Sequence, residues 1–85
     1  MSEMEMDRII AKCAKFFGVQ VEDVMSPCKY TEVVRARHAA WAILRWRGLG
    51  LKELARKFNK DHTSVMYGAE KGQRYPLNKI MEVVL

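Results

Sequence analysis

The sequence predicts an all-α fold, a compact bundle of about five helices that contains a helix-turn-helix. Three observations predict it. Apolar residues recur at three-to-four spacing along most of the chain. Glycine and proline punctuate the ends of those stretches, at Gly18, Gly48, Gly50, Gly72 and Pro76. Two short amphipathic stretches meet at Asn59-Lys60, too tight a connection for anything but a turn. The 85 residues suffice for one core and not for two, so residues 1–85 form a single domain with the helix-turn-helix core at 51–72. A hydrophobic content of 49% excludes a disordered chain. No repeat or low-complexity segment is visible.

Taken in order, Ile9, Ile10, Cys13, Phe16 and Phe17 place an amphipathic helix over 4–17, which Gly18 can end. Residues 19–30 read as a short turn of helix or an extended connection, followed by a loop at Ser26-Pro27. The next helix starts near Val33 and reaches Arg47, with Thr31 able to cap it. Ala36, Ala40 and Ile43 cluster on one side, Arg35, His38 and Arg45 lie roughly opposite, and Arg37 is on a flank. Trp41 and Trp46 are expected in the core or at its edge. Gly48-Leu49-Gly50 stops this helix. Leu51, Leu54, Ala55 and Phe58 share the inner face of the following one, while Lys52, Glu53, Arg56 and Lys57 share the outer. Asp61 is the expected N-cap of the last major helix, to about Lys71. Within it Val65, Met66 and Ala69 point inward, and Thr63, Ser64, Tyr67 and Lys71 point outward. Tyr75-Pro76 breaks the chain, and Leu77–Leu85 reads as a terminal helix that could dock a protein partner through 77–85.

Charge is distributed unevenly. The net charge is +5. Residues 1–28 carry three bases and five acids, residues 29–60 nine bases and two acids, and residues 61–85 three of each. The positive excess therefore lies in the middle third, where it suits a phosphate backbone. No stretch approaches the ~20 apolar residues of a membrane span. Acids stand near the N-terminus where a signal peptide would carry bases, and a cytoplasmic, nucleoid-associated protein with reduced Cys13 and Cys28 is expected. Cys13, Cys28, His38 and His62 lack the spacing of a zinc site. Asp61, His62 and Ser64 cannot align as nucleophile, base and orienter from the start of one helix, so no enzyme is expected. No metal, cofactor or nucleotide is expected either, because no G-x-x-x-x-G-K-[ST] occurs.

The chemistry concentrates at 58–72. A helix-turn-helix sets the first residues of its second helix against base edges in the major groove. Asp61 can accept from cytosine N4, His62 can donate or accept, and Thr63 adds a methyl suited to thymine. Lys60 and Lys71 are placed for phosphates. No zipper-like heptad appears, so one copy is expected on a short asymmetric site of double-stranded DNA.

These residues resemble the C-terminal DNA-binding domain (domain IV) of the bacterial replication initiator DnaA, a fold of the Trp-repressor-like helix-turn-helix type. Asp61-His62-Thr63-Ser64-Val65 matches that family's D-H-T-[TS]-V signature. Leu51 to Phe58 matches its L-x-E-[IL]-[GA]-x-x-F helix, and Arg35-Ala36-Arg37-His38 its R-x-R-[QH] opening. Phe16 to Val24 is similar to its aromatic pair followed by V-x-[DE]-[LV]. The resemblance implies base reading by Asp61, His62 and Thr63, and backbone contacts from Arg35, Arg37, Lys60 and Ser64. It implies a minor-groove contact from Lys29, and a role in replication initiation or transcription control. Three departures stand out. The family's arginine-rich loop is here Ser26-Pro27-Cys28-Lys29, the turn at Asn59-Lys60 is one residue shorter than the usual G-G-R, and the Gly48–Gly50 connection is short. With no nucleotide-binding motif, the chain is an excised domain or a free-standing relative, and the start Met1-Ser2-Glu3 favours the second.

Overall fold

Ser2 opens the first helix by accepting the Glu5 backbone N–H on its Oγ at 3.1 Å. Glu3 and Glu5 then place negative charge against the positive end of the helix dipole. Helix α1 (Glu3–Phe17) stops at Gly18, which takes the left-handed conformation at φ 70°. The computed structural model describes residues 1–85, and five further helices follow: α2 (Val21–Met25), α3 (Thr31–Trp46), α4 (Leu51–Phe58), α5 (His62–Gly72) and α6 (Leu77–Met81).

The sixth helix comes from 19–30, where the short helical turn prevails over the extended alternative. Val24 is the reason, since a helical turn is what carries it into the core between α1 and α3. Helix α3 starts earlier than its apolar periodicity. Thr31 is its first residue, and Tyr30 holds the cap position without a side-chain bond, so the expected Thr31 cap is not made. Helix α6 is shorter than expected and ends at Met81. Beyond it the chain is held by α1, whose Lys12 and Lys15 donate to the carbonyls of Met81 and Val84 at 2.7 and 2.6 Å.

Helix α3 is the central post. Ala36, Ala39, Ala40, Ile43 and Leu44 are fully enclosed. Ile9, Ile10 and Cys13 of α1, Leu54 and Phe58 of α4, Val65 and Ala69 of α5 and Ile80 of α6 complete one core. Burial of the Cys13 thiol pushes its pKa up to about 12, which leaves it unreactive. Helix α5 lies unusually close to α3. A Cβ on Gly68 would overlap the Trp41 ring, and one on Gly72 would overlap the His38 carbonyl. Trp41 is buried against Phe58, edge to face at 5.6 Å between ring centroids. Trp46 is not in the core, being 65% exposed. Five residues at about 100° each turn it well away from Trp41. Met66 is likewise exposed, because the side of α5 it occupies faces an unfilled groove. Together with Leu51, Tyr75, Pro76 and Leu77 these two line a groove between α3, α5 and α6.

Candidate nucleic-acid interface

Helices α4 and α5 are joined by two residues, and each has a defined task. Asn59 ends α4 in the left-handed conformation at φ 52°, the only non-glycine residue with positive φ. Its short polar side chain tolerates that region better than most. The Lys60 amide then returns to the Ala55 carbonyl at 2.9 Å. This reversal delivers Asp61 to the N-cap of α5 in extended conformation. Val65, Gly68, Ala69 and Gly72 point inward, which fixes the rotation of the helix and leaves Thr63, Ser64, Tyr67 and Lys71 in solvent.

All four residues at the start of α5 are exposed. The Asp61 carboxylate makes no capping bond to the helix it opens. It lies 3.5 Å from His62 Nδ1, and both side chains remain more than half exposed. Their hydrogen-bonding capacity is therefore available to an outside partner. At the far end of the helix Lys71 stands beside His38. His38 packs on Trp41 at 5.6 Å between ring centroids. Burial, and then the positive charges of Lys71 and Arg37, hold its pKa below the usual histidine range.

The basic middle third divides into committed and uncommitted cations. Lys57 donates to Glu3 and, at 2.8 Å, to Asp7, and these bonds raise its pKa. Arg47 meets Glu5 at 3.5 Å. Arg45 is turned onto the Leu49 carbonyl at 3.0 Å. Arg35 pairs with Glu32 at 2.7 Å, but both are half exposed and exchange readily with water. Lys29, Lys52, Arg56 and Lys60 make no ion pair. Lys52 and Arg56 share the outer face of α4, and their availability was visible in the sequence only as that polar face. Tyr30, next to Lys29 and 79% exposed, had no sequence signal.

Arg37 corrects the expected backbone contact. It is only 5% exposed, and its guanidinium donates inward to the carbonyls of Asp23, Val24, Ser26 and Cys28. Helix α3 meets the end of α2 at this position, so the side chain on its flank is enclosed. A phosphate cannot reach it without breaking those bonds. No three His, Cys, Asp or Glu side chains are grouped to hold a metal.

Two short helices joined by a tight turn, packed on a longer helix and with exposed polar groups at the second helix's start, define a helix-turn-helix module. The chain belongs to the bacterial DnaA protein helix-turn-helix family, whose match covers residues 6–71. It is also similar to the chromosomal replication initiator protein DnaA of Mycobacteroides abscessus, with 34% identity over 64 residues. That alignment covers 74% of this chain and 13% of the relative, so the chain corresponds to a small part of that protein.

Proposed function

We propose that this protein binds double-stranded DNA sequence-specifically, without catalysing a reaction on it. Helix α5 enters the major groove, where Asp61, His62 and Thr63 meet base edges. Arg35, Lys60, Ser64 and Lys71 hold the phosphates, and Lys29 approaches the adjacent minor groove. The observation that carries this reading is the unspent polar start of α5: four exposed side chains, with an N-cap carboxylate not used as a cap. A helix built only for stability gains about 1 kcal/mol from such a cap. The family membership supports a role at the initiator's own sites. There the protein would compete at origins or promoters, in the cytoplasm and at the nucleoid. Lysine in place of arginine at the loop weakens narrow-groove reading and shifts the share of specificity toward α5.

Protein docking through 77–85 has less support. Ile80 is buried, and the tail is tied to Lys12 and Lys15. No helix is long and apolar enough to cross a membrane. Selection of bound duplexes from a random pool tests the proposal. An enriched motif, lost on substitution of Thr63, supports base reading. Salt-sensitive binding with no enrichment leaves only a basic patch, and no DNA binding at all favours a protein partner.

A further inference from the structure

The loop between α2 and α3 has few bonds of its own. Ser26 Oγ donates to the Asp23 carbonyl at 2.8 Å and accepts the Cys28 N–H at 3.2 Å. Pro27 has no N–H to give. Such a segment, carrying Lys29 at its end, would ordinarily be mobile. Arg37 supplies what it lacks. From inside α3, Nε donates to the Val24 carbonyl at 2.9 Å. Nη2 donates to Asp23, Ser26 and Cys28 carbonyls at 3.1, 2.6 and 3.0 Å, with its two hydrogens shared among three acceptors. The first two carbonyls belong to the end of α2, which favours a cation there. The last two flank Pro27, and Lys29 follows immediately.

We infer that Arg37 is a positioning residue for DNA binding: it fixes the α2–α3 loop from within the fold and so presents Lys29 to the DNA, touching no nucleotide itself. The inference rests on the proposed contact of Lys29. A guanidinium suits this task because its planar fork reaches several carbonyls at once, whereas a lysine offers one compact charge.

Binding to the selected duplex is measured for Arg37→Lys and for Ser26→Ala, each with and without Lys29→Ala. Ser26→Ala loosens the loop from its exposed side and carries the test should Arg37→Lys not fold. Amide exchange at residues 28–30 is followed without DNA. Arg37→Lys is expected to weaken binding about tenfold and to speed exchange in the loop. Lys29→Ala is expected to cost about fivefold in the wild type and less than about twofold in either loosened background. Thr63→Ala keeps its full penalty throughout, which a general loss of structure would not allow. Equal cost of Lys29→Ala in all backgrounds, or unchanged exchange at 28–30, overturns the positioning role. No cost of Lys29→Ala even in the wild type overturns the Lys29 contact instead, and the inference with it.

Discussion

Asp61 holds the N-cap position of α5 while its carboxylate remains in solvent. Side chains that give up a local bond in this way are those to test as readers. Thr63→Ala should lose discrimination at one base position, at a cost of ~1–3 kcal/mol there, while affinity for random duplex stays unchanged. A uniform loss over all sequences would place Thr63 on the backbone. The glycines on the inner face of α5 answer to packing. Gly68→Ala presses on the Trp41 ring and Gly72→Ala on the backbone of α3. Each should destabilise by about 1–3 kcal/mol in urea unfolding, with Gly72→Ala the worse because a backbone yields less than a ring. His38, beside both, titrates in a position that disfavours its charged form. Its folded pKa lies below the unfolded one, so its contribution is fully present above the unfolded value and is lost as pH falls through the folded one. Melting temperature should therefore drop as pH falls from neutrality through and below the ordinary histidine range, and His38→Asn should shrink that drop. An equal drop in the variant would assign the acid sensitivity to other groups.

At the scale of elements, the α4–α5 turn decides how the candidate reading helix is aimed. Asn59 keeps a positive φ that most side chains resist. Asn59→Ala should cost about 1–2 kcal/mol of stability, and Asn59→Gly should restore most of it, as read by chemical denaturation. Equal stability of all three would mean that the turn relaxes out of the left-handed region. Helix α3 serves two neighbours at once. Its small residues admit α5, and Arg37, on the same helix, gathers the end of α2 and the loop after it. One post thus sets the place of both candidate DNA-contacting segments.

For the whole molecule, the nine bases of residues 29–60 overstate the field available to DNA. Helix α1 spends its acids on two of them, since Glu3 and Asp7 take Lys57 and Glu5 takes Arg47. Arg37 is enclosed. Counting Arg35, Lys52, Arg56, Lys60 and Lys71 as phosphate partners, log Kobs should fall against log salt with a slope of about −4.5. A slope of about −6 would mean that the α1 pairs open on binding and free Lys57 and Arg47 as well. Lys57→Ala should cost only about 1 kcal/mol of stability, since both its partners are well exposed.

The sequence by itself determined where most helices begin and end, because those signals are local. Gly18 stops α1, Leu51 to Phe58 spans α4, and α5 begins directly after Asp61, each where the residues place it, although the Asp61 side chain does not make the expected cap. The family and the polar start of α5 were legible for the same reason, being carried by contiguous residues. What neighbours cover was not legible. The sequence reading placed Met66 inward, Trp46 in the core or at its edge and Arg37 on a flank, yet the structure exposes the first two and buries the third. A wheel gives the angle of a side chain about its own axis. Only the packed fold decides which angles another element occupies, and a long side chain such as that of Arg37 reaches whatever acceptors the neighbour has left unpaired.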